Sequence, residues 1–136
     1  MVLPFFVTPF YAALCGILLV VLSLRVSLLR RKHGVGIGDG GQPELQRAIR
    51  VQGNFIEYVP LGLILLLLLE ISHQVPGWAL HGLGLLLVAA RISHALAYSR
   101  SSGTNFGRAF GGAGTYLMVL VAALWLLFVA LAALRL

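Results

Sequence analysis

The stretch "RAIRVQGNFIEYVPLGLILLLLLEI", residues 47–71, places a polar half and an apolar half in one uninterrupted segment. The apolar half has the composition of a membrane-spanning helix, the structure that satisfies every backbone polar group without water. The polar half carries two arginines, Asn54 and Glu57, which hydrocarbon solvates poorly. The segment therefore predicts a transmembrane helix whose charged face meets something other than acyl chains.

The rest of the chain has the same character. Of its 136 residues, 60% are hydrophobic and only 10% are charged, whereas a soluble domain carries about 25% charged residues. The net charge of +6 does not indicate nucleic-acid binding, because the basic residues flank apolar runs, as in membrane proteins. We predict a single membrane domain, residues 1–136, with lipids as partners and no nucleic acid.

Four segments approach or exceed the ~20 residues that are needed to cross a bilayer. We predict spans at residues 3–29, 44–72, 78–98 and 113–134. The short link "SHQVPG", residues 72–77, makes the second and third spans antiparallel. The predicted fold class is therefore all-α, an up-down bundle of four transmembrane helices.

The basic residues predict the orientation of this bundle. The loops after the first and third spans lie on the same side of the membrane and contain Arg30, Arg31, Lys32, Arg100 and Arg108. The positive-inside rule places these loops, residues 30–43 and 99–112, in the cytoplasm. Glu70 and His73 lie near the opposite membrane face, where we expect water to solvate them.

Two rows of polar residues follow the faces of neighbouring helices. At 100° per residue, one face of the second helix carries Arg47, Arg50, Asn54, Glu57 and Tyr58. One face of the third carries Arg91, His94 and Tyr98. Because both rows lie toward the cytoplasmic end, we expect them to face each other, or a neighbouring subunit, around a water-accessible pocket.

Glu57 lies about three turns into its helix, and we expect Arg50 or an arginine of a partner helix to pair with it. The alternative interpretation is that these side chains reach back to the membrane surface, or form an ion-pair cluster that only fixes helix register. No His, Cys or carboxylate cluster has the spacing of metal ligands, so no metal site is predicted.

The second-helix row also resembles a known family. "RVQGNFIEYVPL", residues 50–61, is similar to the second-helix pattern of the MAPEG family, the membrane-associated proteins in eicosanoid and glutathione metabolism. "ARISHALAYSRS", residues 90–101, resembles its third-helix signature, and "SLRVSLLRRKHGV", residues 23–35, resembles the end of its first helix. The glycine-rich "GDGGQPEL", residues 38–45, is more similar to bacterial members, which implies a bacterial inner membrane.

The resemblance implies a homotrimer with pockets between neighbouring subunits, each holding glutathione as co-substrate at the cytoplasmic end. Carried over by position, the residues that contact glutathione are Arg30, Arg50, Asn54, Glu57, Tyr58, Arg91, His94 and Tyr98. Arg30 would come from a neighbouring subunit and meet a carboxylate. Arginines suit the carboxylates of this anionic tripeptide, and Glu57 suits its α-ammonium group.

The implied activity is that of a glutathione S-transferase or peroxidase, which activates a thiol to attack lipophilic electrophiles or lipid hydroperoxides. The family's activating arginine corresponds best to Arg108, with Arg100 as the second candidate. The family also contains a non-catalytic member, so a lipid-binding or scaffold protein of the same fold is the alternative. A small transporter or channel is disfavoured, because four spans are few and no inverted repeat is present.

Overall fold

A computed structural model describes residues 6–100 and 106–134, without the side chains of Ser99, Arg100 and Arg108. Over these ranges the chain forms four helices and no strand: α1 (Val7–His33), α2 (Pro43–Ile71), α3 (Gly77–Arg100) and α4 (Phe106–Ala133). Each is long and apolar enough to cross a membrane. The predicted all-α four-helix bundle is confirmed, and the chain is an integral membrane protein.

At the end of the bundle that carries the α1–α2 loop, the helices extend further than the apolar runs do. α1 ends at His33, where Gly34 adopts a left-handed φ of 66°, and α2 starts with Pro43 at its first turn. Residues 106–112, which we assigned to the loop 99–112, form the first turns of α4. The helix begins earlier than predicted because the glycines of this stretch, which favour a loop in a soluble protein, serve here for close contact with α3.

α2 and α3 form the centre of the bundle. They pack on each other, and α1 and α4 pack on opposite sides of this pair. The core between them includes Phe55, Leu66, Leu87 and Met118, all at most 3% exposed. Most large apolar side chains of α4 point outward, as expected for a helix that faces lipid.

α4 approaches α3 closely because the contact is made by small residues. A Cβ added at Gly111 would lie 2.5 Å from the Cβ of His94 and 2.8 Å from its Cα and backbone nitrogen. A Cβ at Gly114 would lie 3.1 Å from the Cβ of Ala90. Small residues allow transmembrane helices to pack backbone against backbone, so these glycines set the position of α4 relative to His94.

Glu70 holds the start of α1. Its carboxylate accepts hydrogen bonds from the backbone N–H groups of Phe6, Val7 and Thr8, at 2.9, 2.8 and 2.8 Å. α1 has no side-chain cap of its own, and the first N–H groups of any helix lack intrahelical partners. The expectation that water solvates Glu70 was therefore wrong: the residue is 7% exposed and caps another helix.

Replacement of Glu70 by alanine is expected to destabilise the protein by about 2 kcal/mol, because three N–H groups would lose a charged acceptor. Thermal unfolding of the purified protein in detergent, followed by circular dichroism, measures this as a lower midpoint. The matched control is Glu44→Ala, which removes an exposed carboxylate paired with Lys32 at 3.1 Å. Equal midpoints for the two variants would contradict the capping role of Glu70.

Candidate functional site

The two polar rows meet between α2 and α3. Nη2 of Arg91 donates a hydrogen bond to Oδ1 of Asn54 over 2.9 Å. Arg91 is only 2% exposed, and its Nε has no hydrogen-bond partner among the described residues. An arginine within a membrane helix costs about 2.5–3.5 kcal/mol on insertion scales. The buried Arg91 cation is therefore hydrogen-bonded to a neutral amide, while its Nε–H has no acceptor among the described residues.

Aromatic side chains from three helices pack in pairs along the rows. The rings of His94 and Tyr98 lie 4.5 Å apart, centroid to centroid, along α3. Tyr58 of α2 packs against Tyr116 of α4 with a centroid distance of 5.4 Å. Sequence reasoning missed Tyr116; the available signal was a polar-tipped side chain in an otherwise apolar stretch of α4. Residues from α2, α3 and α4 thus gather at one end of the bundle.

Arg50 and Glu57 lie on the outer surface of the bundle. Both are exposed, although α2 is apolar enough to span the membrane from Pro43 to Ile71. Within the described part of the chain no ion pair joins Glu57 to Arg50, so the expected pair is not formed there. Charged groups at such positions require water, a ligand or another protein surface.

Arg30 supports the loop that connects α1 to α2. Its Nη1 donates to the carbonyl oxygens of Gly36 and Gly38, at 3.2 and 2.8 Å. Gly38 has a φ of 71°, a left-handed conformation that favours glycine. The role of Arg30 at a ligand carboxylate stays a prediction, and its Nε and Nη2 donors would serve it while Nη1 holds the loop.

Arg100 and Arg108 lie on either side of residues 101–105, in α3 and α4. Arg100 is the last residue of α3, and Arg108 lies in the first turn of α4. Ser93 donates to the carbonyl of Gly107 over 3.1 Å and so fixes that first turn to α3. The two arginine side chains lie outside the described residues, and their catalytic roles stay predictions.

Two cavities are lined by residues that belong to neither polar row. A groove of about 230 Å³ between α1 and α2 is lined by apolar residues including Cys15, Phe55 and Val59. A second cavity of about 430 Å³, lined by Ser72 and Trp125 among others, lies at the opposite end of the bundle. In residues 6–100 and 106–134 no group of three His, Cys, Asp or Glu side chains is placed to hold a metal ion.

The fold and these rows define a class of protein: a four-helix integral membrane protein with a polar cluster at one end of its bundle. Residues 8–128 match the MAPEG family, and the chain belongs to that family. The family indicated by the second-helix pattern is confirmed.

The chain is also similar to the inner membrane protein YecN of Escherichia coli. The two are 41% identical over 88 residues, which cover 65% of this chain and 66% of YecN. YecN from a second strain of the same species gives the same values. The alignment thus spans just under two thirds of the length of this relative.

Proposed function

We propose that this protein is a glutathione-dependent transferase or peroxidase of the bacterial inner membrane, with residues 30–43 and 99–112 on the cytoplasmic side. The observation that carries the proposal is the contact between Asn54 and Arg91, which joins the two family-like polar rows at one end of the bundle. Membership of the MAPEG family supports the use of glutathione, and the name of the YecN relative supports the membrane.

In this proposal the protein is a homotrimer with its pockets between subunits. The exposure of Arg50 and Glu57 on a membrane-spanning helix supports such an assembly, because a neighbouring copy would shield both groups from lipid. Glutathione would then lie between the copies. Its carboxylates suit Arg50 and a neighbour's Arg30, its α-ammonium suits Glu57, and Tyr58, His94 and Tyr98 line the pocket.

The chemistry proposed is thiol activation. A free thiol has a pKa near ~8.5, so only a few per cent is ionised at pH 7. Lowering that pKa to ~6.5 requires about 2.7 kcal/mol of thiolate stabilisation, which a close arginine, Arg108 or Arg100, would supply. The thiolate attacks an electrophilic carbon and displaces its leaving group. With a hydroperoxide it attacks the terminal oxygen and releases an alcohol, and a second glutathione then yields the disulfide and water.

Calorimetric titration of glutathione into the detergent-purified protein tests this site. Arg50→Ala is expected to weaken binding about 10- to 100-fold, because a charge-assisted hydrogen bond to a carboxylate contributes about 1.5–3 kcal/mol. Arg31→Ala is the control, since it removes an exposed arginine at the end of α1 that belongs to neither row. Equal affinities for the two variants would remove Arg50 from the pocket.

A non-catalytic lipid-binding or scaffold protein of the same fold is the second candidate. The apolar groove between α1 and α2 favours it, because such a groove at membrane depth suits an acyl chain. This candidate is distinguished by saturable lipid binding without any turnover of glutathione and chlorodinitrobenzene or cumene hydroperoxide.

A further inference from the structure

The Asn54 side chain has one orientation available beside Arg91. A guanidinium group only donates hydrogen bonds, so the group of Asn54 that faces it must be the carbonyl oxygen. Nη2 of Arg91 lies 2.9 Å from that oxygen. The NH₂ group of Asn54 therefore faces away from Arg91, and no residue in the described part of the chain accepts its hydrogens.

The two members of this pair differ in accessibility. Arg91 is 2% exposed and lies inside the bundle, whereas Asn54 is half-buried at the edge of α2. Arg50 and Glu57, four residues before and three after Asn54, are exposed on the same helix face. A ligand lying along this face would reach Asn54 but not Arg91.

We infer that Arg91 is a positioning residue that holds the Asn54 amide so that two N–H donors face the ligand. The donors of Asn54 and Arg50 then form a subsite for an oxygen acceptor, a carboxylate or amide carbonyl of the tripeptide, and Glu57 beyond them excludes a second anion. Arg91 thus acts through Asn54, although its row alone suggested direct contact with glutathione. This inference rests on the proposed function.

Asn54→Asp separates the positioning role from a structural one. The carboxylate still accepts the hydrogen bond from Arg91 and also neutralises a buried charge, so packing between α2 and α3 is retained. It presents lone pairs instead of N–H donors to the ligand. We expect a thermal midpoint equal to or above that of the wild type, together with a loss of glutathione affinity of at least about tenfold by calorimetry.

Gln52→Glu is the matched control. It makes the same amide-to-carboxylate change on α2, but Gln52 donates to Ser23 of α1 at 2.9 Å and belongs to neither polar row. We expect its glutathione affinity to remain within about twofold of the wild type, whatever its thermal midpoint, because its side chain contacts α1 and not the face that carries Asn54.

A double-mutant cycle with Arg91→Gln and Asn54→Ala completes the test. If Arg91 acts through Asn54, Arg91→Gln lowers affinity in the wild-type background and adds no further loss once residue 54 is alanine. If the affinity losses of Arg91→Gln and Asn54→Ala add, or if Asn54→Asp binds glutathione as the wild type does, the positioning inference is overturned and the proposed function is not. A wild-type protein that does not bind glutathione would overturn the proposed function and the inference with it.

Discussion

Arg108→Ala is expected to slow glutathione conjugation by about 100-fold at pH 5, by about 25-fold at pH 7 and hardly at all above pH 9. These ratios follow from the ionised fraction of a thiol whose pKa returns from ~6.5 to ~8.5 when the stabilising charge is removed. Glutathione affinity is expected to stay near the wild-type value at pH 5, where the thiol is protonated in both proteins, and to fall about fourfold at pH 7, because the arginine stabilises the bound thiolate and not the thiol.

The measurement is the initial rate with chlorodinitrobenzene at saturating glutathione, recorded as a pH profile. The activity of the variant should rise at a pH about two units higher than the activity of the wild type does, because its bound thiol ionises at a higher pH. Arg100→Ala, assayed in parallel, tests the second candidate at the end of α3. A wild-type profile for Arg108→Ala together with a shifted profile for Arg100→Ala would assign the role to Arg100.

Gly111→Ala is expected to destabilise the bundle by about 2 kcal/mol and to lower activity with it. The added methyl group would lie 2.5 Å from the Cβ of His94 and 2.8 Å from its backbone, which cannot move without separating α3 from α4. Overpacking of this kind costs about 1–3 kcal/mol. Separation of the helices would also displace Arg108, one turn earlier in α4, from the α3 row.

Gly112→Ala is the control for this prediction, since no atom lies within 4 Å of a Cβ at that position. Both substitutions replace glycine by alanine in the same turn of α4, so they share the gain in helix propensity of up to ~1 kcal/mol. Only the contact with His94 differs between them. Thermal unfolding and conjugation rates that are the same for both variants would show that the α3–α4 approach is not as close as described.

Much of the fold follows from the sequence because every span must be apolar over about 20 residues to cross the bilayer. Apolar length located four helices, and short links predicted their antiparallel order. The start of α4 was missed because "FGRAFGG", residues 106–112, is glycine-rich and was interpreted as loop. In a membrane bundle, glycine also marks close helix contact, and Gly111 has that use here.

The candidate site was predictable only in part. Spacings of three and four residues indicate which side chains share a helix face, and they placed Asn54 and Arg91 in rows that do meet. Spacing does not show what lies against that face. Arg91 is therefore buried while Arg50, a member of the facing row, is exposed, and Tyr116 joins from a helix with no polar periodicity.

The cap that Glu70 provides also has a consequence for biogenesis. The ribosome makes Phe6 first, but the carboxylate that accepts a hydrogen bond from its N–H lies 64 positions later in the chain. The first amides of α1 therefore stay hydrated at the membrane surface until α2 has been inserted beside it. Insertion and docking of this pair are thus separate events, and a nascent chain truncated before residue 70 should lack the docked state.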